Sequence, residues 1–118
     1  MFTHDAQMRS YAPGEWVVQQ GDTGSEMFVI IEGEAEIKLN GETLDIVHPG
    51  QSCGEMGLIG DFPRVAGIVA VTPLKVAPID RERFEYLVRN HPYFALEVMK
   101  TMVGRIRKID ERLYPKPA

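Results

Sequence analysis

Residues 34–48, EAEIKLNGETLDIVH, leave the backbone little choice. Ala35, Ile37 and Leu39 alternate with Glu34, Glu36 and Lys38, the two-residue period of a strand with one buried and one wet face. Asn40-Gly41 follows directly. A two-residue type I′ turn needs positive φ at both central positions, and Asn and Gly tolerate it best. ETLDIVH then returns as the partner strand until Pro49-Gly50 ends it. A hairpin here commits its surroundings to sheet, and the flanking segments agree. EWVVQQGD reads as a strand closed by Gly21-Asp22, with Thr23-Gly24-Ser25 as a turn. The run Met27–Ile31 is expected to be buried, and GIVAV and LKVAPI supply two more strands around Thr72-Pro73. The first ten residues show no period. The fold class is therefore mainly β: an eight-stranded antiparallel β-roll, jelly-roll-like, over residues 11–79.

After residue 79 the period changes. Asp80 is a suitable N-cap for a helix over 80–90, in which Phe84, Leu87 and Val88 share a face. A second helix is expected over 92–113, with Pro92 in its first turn. Along it Ala95, Met99, Met102, Ile106, Ile109 and Leu113 recur at spacings of 4, 3, 4, 3 and 4. That is a coiled-coil seam, suited either to a second copy of the helix or to the chain's own roll. Gly104 interrupts good helix-forming residues, which suggests a close contact or a flex point. Pro115 and Pro117 stop the helix. With no repeat and no linker, the 118 residues read as a single domain, the roll first and two C-terminal α-helices after it.

Composition excludes several functions. A net charge of -4 provides no basic face for nucleic acid. No apolar run approaches the ~20 residues that cross a bilayer, and the first residues lack the apolar stretch of a signal peptide. The lone Cys53 cannot form an internal disulfide and suits a reducing compartment, so a soluble cytoplasmic chain is expected. His4, His48 and His91 do not cluster as metal ligands, and only His48 falls on an expected strand. Ser25, Ser52 and Cys53 have no evident base beside them, so the chain reads as no enzyme. Trp16 is expected to pack at a core or edge, and Glu32, Glu34 and Glu36 to form a wet strand face.

The segment GEMGLIGDFPRVAG, residues 54–67, demands a different explanation. Strand connections rarely run to fourteen residues with four glycines, and Met56, Leu58, Ile59 and Phe62 speak against disorder. Glycines let backbone amides turn toward an anion, and an arginine adds a planar fork of charge-assisted donors, each bond contributing ~1.5–3 kcal/mol. A carboxylate in the same loop accepts hydrogen bonds from hydroxyls and repels phosphate. Glu55 and Arg64 thus suit a ligand with a hydroxyl end and an anionic end; the plain alternative is a Glu–Arg pair bracing the loop.

GEMGLIGDFPR resembles the phosphate-binding cassette of cyclic nucleotide-binding domains, of the catabolite activator protein and kinase regulatory subunit type. PGEWVVQQGDTGSEMFVIIEGEAEI resembles the same family's P-G…G-D and F-x-I-x-x-G-x-V pattern, and the likeness runs from Tyr11 to Leu113. The resemblance implies a regulatory module for a cyclic nucleotide, cAMP before cGMP, with no cofactor, signalling through its C-terminal helices. It implies that Glu55 holds the ribose 2′-hydroxyl and Arg64 the cyclic phosphate. Backbone amides around Gly54 and Met56, and those of Val65 and Ala66, would line the pocket. The last helix would close over the base, with Arg105, Ile109 and Asp110 as candidate contacts, and would form a homodimer seam through Met99, Met102, Ile106 and Ile109. Three positions depart from the pattern: Cys53 replaces a phenylalanine, Gly67 a threonine or serine, and Val65 a small residue whose hydroxyl favours cGMP in some members. A roll that has lost its ligand and serves as a scaffold is the alternative. Family transcription factors continue into a helix-turn-helix and kinase subunits carry an inhibitory segment, so the unknown effector is expected in trans or in sequence beyond these residues. The short N-terminus suits a piece of a larger regulator or channel.

Overall fold

The computed structural model describes residues 8–60 and 62–113, with side chains to residue 111. His4, the closing prolines and the side chain of Leu113 lie outside the described residues. Eight strands run as β1 (Arg9–Tyr11), β2 (Trp16–Val18), β3 (Met27–Glu32), β4 (Ala35–Leu39), β5 (Glu42–Val47), β6 (Ser52–Cys53), β7 (Gly67–Ala70) and β8 (Leu74–Ile79). Three helices accompany them: α1 (Met56–Ile59), α2 (Arg81–Asn90) and α3 (Tyr93–Leu113). The strands form two four-stranded antiparallel sheets, β1-β8-β3-β6 and β2-β7-β4-β5. The eight-stranded roll is therefore present, and it begins two residues earlier than the sequence pattern indicates: Arg9 and Ser10 pair with Val76 and Lys75. Three residues are too few to show a period.

The central hairpin forms as its turn chemistry demands. Asn40 has φ 51° and Gly41 φ 83°, both left-handed, between β4 and β5. A bulge between Ile37 and Lys38 shifts the register, so Ile37 faces Asp45 while Lys38 faces Thr43. His48 falls one residue past β5 rather than on it, where its Nδ1 lies 2.8 Å from Glu34 Oε2.

Sheet β1-β8-β3-β6 is covered on both faces, which is why β3 reads as a continuous apolar run instead of alternating. Phe28 and Ile30 point into the roll with Ala35, Ile37, Val47, Cys53, Ile68, Leu74 and Val76. Met27 and Val29 point the other way, to Ile79, Leu87, Phe94 and Val98 on β8, α2 and α3. Ile31, expected within the buried run, is only half-buried. α2 begins where Asp80 accepts from the Arg83 amide at 2.8 Å, and Phe84 meets Phe94 edge-on at 5.7 Å, joining α2 to α3.

α3 divides its apolar residues between two faces. Phe94, Val98 and Met102 pack inward. Leu96, Met99, Val103 and Ile106 are 52–62% exposed, at spacings of 3, 4 and 3. Met102 therefore belongs to the inner face, not to an outward seam, and Leu96 and Val103 complete the exposed stripe. Gly104 makes no close contact: a Cβ there meets nothing within 4 Å. The glycine only loosens the helix, so Gly104→Ala is expected to stabilise the chain by up to ~1 kcal/mol and raise its Tm in a calorimetric scan. A lower Tm would reveal a neighbour that the fold does not show.

Candidate functional site

The long connection between β6 and β7 begins with Gly54 at φ 75°, a left-handed backbone that disfavours any side chain. One helical turn, α1, follows, and the chain returns through Phe62 and Pro63 to Arg64. The Arg64 backbone closes against the β2–β3 turn: its amide donates to the Asp22 carbonyl at 2.7 Å, and its carbonyl accepts from the Gly21 amide at 2.7 Å.

Arg64 itself turns inward and is only 7% exposed. Nη1 donates to the Gly54 carbonyl at 2.9 Å and Nη2 to the Glu26 carbonyl at 2.6 Å. The guanidinium carbon lies 5.7 Å from the Phe28 ring centroid. The glycines of the segment now have a use beyond backbone freedom. A Cβ on Gly24, Gly54 or Gly57 would sit 3.0, 3.1 or 2.8 Å from an Arg64 nitrogen, and the one on Gly57 also 2.7 Å from the Glu26 carbonyl. All three make room for one guanidinium. Nε is buried and has no hydrogen-bond partner among the described residues. Carbonyl dipoles offset part of the cost of burying a full charge, and among the described residues no ion pair adds a counter-charge to them.

Glu55 is also buried, 9% exposed, at the start of α1. Its side chain does not cap the helix. Instead Oε1 accepts from Ser52 Oγ at 2.8 Å, and Oε2 lies 3.5 Å from Arg105 Nη1. Among the described residues no ion pair joins Glu55 to Arg64, so the two are not a surface pair bracing the loop. They are separate polar groups held inside one cassette.

Arg105 arrives from α3 and is shared among three partners. Nε donates to Asp45 Oδ2 at 3.1 Å, Nη2 to the Ser52 carbonyl at 2.9 Å, and Nη1 faces Glu55. Lys108, one turn on, reaches Asp45 Oδ1 at 2.7 Å. Of the other residues singled out in the sequence, Gly54, Ala66 and Ile109 are half-buried, while Met56, Val65 and Asp110 are exposed. Asp45 and Ser52 were missed. Asp45 had one sequence-level clue: it shares a strand face with Val47, an acid on the side that otherwise turns inward.

Two departures from the cassette pattern have local causes. Gly67 lies under Trp16, whose Cζ3 would be 2.6 Å from a Cβ there. Trp16 is 42% exposed, an edge-packing residue. Cys53 faces Phe28 across the β3–β6 pair and is fully buried. Burial, with the Glu55 carboxylate, pushes its thiol up to about 12 against weaker pulls from Arg105 and Arg64, so it is not a nucleophile at neutral pH.

The two-sheet roll, its cassette and the following helices define a class, and the chain belongs to it. The family model described as the cyclic nucleotide-binding domain matches residues 8–91, so this chain is a member of that family and a regulatory ligand-binding module in kind. It is 32% identical over 83 residues to the cGMP-dependent protein kinase egl-4 of Caenorhabditis briggsae, covering 70% of this chain and 11% of the kinase. The chain thus spans about a tenth of that relative's length. The Thermus thermophilus catabolite activator protein superposes with a TM-score of 0.73 at 30% identity, over 91% of this chain and 53% of that one. A cyclic nucleotide-binding domain from Methylobacillus flagellatus gives 0.76 at 25% identity, over 96% and 70%. Among the described residues no helix is long and apolar enough to cross a membrane.

The contact between α3 and β5 carries a pH dependence. Burial alone would raise the Asp45 carboxyl, but hydrogen bonds from Lys108 and Arg105, with their charges, outweigh it and hold it below its ordinary value of 3.8. A depressed carboxyl stabilises the fold above the ordinary value, and that contribution is lost as pH falls through the folded one. Asp45→Asn should therefore lower the Tm at pH 7, and the difference from wild type should shrink below about pH 4. Thermal scans of both proteins from pH 3 to 7 check this; a difference that stays constant with pH contradicts it.

Proposed function

We propose that this chain is a cAMP receptor module of the cytoplasm. Arg64 holds the cyclic phosphate, Glu55 accepts from the ribose 2′-hydroxyl, and the C-terminal helices carry the response to an effector. The observation that carries the reading is the cradle around Arg64: a buried guanidinium packed by three glycines, with Nε unspent. Such a site is shaped for an anion, since planar donors meet phosphate oxygens in a way that a point charge does not. The amides near Gly54, Met56, Val65 and Ala66 complete the phosphate shell in this proposal, and Ile109 and Asp110 lie on the helix that faces the base. Val65 offers no hydroxyl, which favours cAMP over cGMP. A solved relative described as cAMP-bound, PfPKA-R, is 25% identical with a TM-score of 0.72, over 88% of this chain and 36% of that one, and supports the same choice. Localisation rests on the lone buried thiol and the lack of a membrane-crossing helix among the described residues.

Titration calorimetry tests the assignment. Wild type should bind cAMP more tightly than cGMP. Arg64→Ala should lose several kcal/mol, because the phosphate is then desolvated against amides alone, and Arg64→Lys should lose most of the same. Glu55→Ala should lose ~1–3 kcal/mol and no longer distinguish cAMP from 2′-deoxy-cAMP, which has no hydroxyl to give. Circular dichroism establishes that each variant is folded. Tighter binding of cGMP reverses the choice of nucleotide. No heat with either ligand at millimolar concentration leaves the scaffold reading.

The exposed stripe of α3 is the proposed homodimer seam, with Leu96, Met99, Val103 and Ile106 at a and d spacing. Met99→Glu with Ile106→Glu should halve the mass measured by light scattering while circular dichroism shows the fold kept, since neither side chain belongs to the chain's own apolar core. A wild type that is monomeric at high micromolar concentration refutes the seam.

A further inference from the structure

Ser52 stands three residues before Glu55, the spacing of a capping box, in which both side chains accept from backbone amides at a helix start. The structure uses the pair differently. Glu55 is itself the N-cap residue of α1 and its side chain caps nothing. The two side chains bond to each other, Ser52 Oγ to Glu55 Oε1 at 2.8 Å. An ionised carboxylate only accepts, so the hydroxyl donates. Both ends of the bond are buried. Alternation along β6 sets this up: Cys53 turns into the roll opposite Phe28, so Ser52, paired with Val29, turns to the face that α3 covers. The backbone that carries Ser52 is tied to β3 on both sides of the turn, by Gly50 N to the Ile30 carbonyl at 2.8 Å and Ile30 N to the Gln51 carbonyl at 2.9 Å.

The two oxygens of Glu55 are thereby made unequal. Oε1 is committed to a rigid strand, while Oε2 has Arg105 Nη1 at 3.5 Å, an ion pair beyond good hydrogen-bond length. A glutamate side chain turns about three bonds, and an acceptor fixed beforehand loses less freedom when a donor arrives. We infer that Ser52 is a positioning residue for sugar recognition: its hydroxyl fixes Glu55 with Oε2 presented to the ligand, and so sets how strictly a ribose is preferred to a 2′-deoxyribose. The inference rests on the proposed role of Glu55 as the ribose acceptor, and Ser52 acts through that carboxylate. The Ser52 carbonyl, which accepts from Arg105 Nη2, belongs to the backbone and survives any change of side chain. Removing the hydroxyl therefore acts on Glu55 first.

Space beside Ser52 allows a matched pair of variants. The residue lines a cavity of about 560 Å³ with Val29, Phe94, Val98 and Thr101, so one more methyl group has room. Ser52→Thr and Ser52→Val share one shape, suit a strand, and differ in the hydroxyl. Titration calorimetry of the full chain with cAMP and with 2′-deoxy-cAMP reads the ratio of the two dissociation constants, and circular dichroism checks the fold. Wild type and Ser52→Thr should prefer cAMP by about 10- to 100-fold, the worth of one hydrogen bond to a carboxylate. Ser52→Val should lower that preference at least about fivefold through weaker cAMP binding, with 2′-deoxy-cAMP bound within a few-fold of wild type. Should Ser52→Val not fold, Ser52→Ala carries the same expectation. A serine that merely braces the loop would weaken both ligands alike and leave the ratio unmoved; that result overturns the inference. So does a wild-type ratio in the variant without the hydroxyl, or a lost ratio in Ser52→Thr. Equal binding of both ligands by wild type shows instead that Glu55 is not the ribose acceptor. No binding of either at millimolar concentration removes the receptor reading, and the role of Ser52 falls with it.

Discussion

The buried charge of Arg64 is the constraint around which this end of the roll is built. Removing a guanidinium from water is costly unless its donors are met and its bulk accommodated. Both requirements reach across the chain. The acceptors come from Glu26, next to β3, and from Gly54, after β6. The space comes from Gly24 in the β2–β3 turn and from Gly54 and Gly57 in the cassette. Phe28 provides an aromatic face alongside. A turn that looks like mere connection is thus one wall of the site, and the backbone bonds between Gly21, Asp22 and Arg64 hold that wall in place.

The helices are attached to this roll by two unlike kinds of contact. Met27, Val29, Ile79, Leu87, Phe94 and Val98 form an apolar cluster on the outer face of the β1-β8-β3-β6 sheet. Such burial is non-directional and ties α2 and the start of α3 to the sheet, with Leu58 of the cassette packed against the same cluster. Further along α3 the contact is ionic and directional, through Asp45, Arg105 and Lys108. The first kind sets where the helices sit; the second connects the far part of α3 to Glu55.

The departures from the family's cassette show compensation by neighbours. A β-branched or hydroxyl-bearing side chain at 67 would collide with Trp16, so the tryptophan on β2 and the glycine on β7 are one packing unit. Cys53 opposes Phe28, so a large ring on β3 faces a small residue on β6. The glycine at 67 meets Trp16 rather than the guanidinium, while Cys53 lies close enough to Glu55 for that carboxylate to help raise its thiol.

Much of this was legible in the chain because it depends on local physics. Alternation around Asn40-Gly41 specifies the hairpin, the change of period at Asp80 separates roll from helices, and an acid and an arginine in a glycine-rich connection mark the cassette. Local patterns could not reveal β1, since three residues carry no period, nor assign α3's seam, since two apolar stripes overlap along it and only the packing of Met102 tells them apart. Nor could they show that Arg105 is spent on Asp45, Ser52 and Glu55. These groups lie far apart in sequence and meet only because β5, β6 and α3 converge. By itself the sequence determined every strand except the short β1 and β6, together with the two long helices and the chemical types at the site, because backbone preference and side-chain chemistry are properties of nearby residues. Tertiary structure alone decided which charge faces which, because a charge is matched by whatever stands a few ångströms away, however distant along the chain.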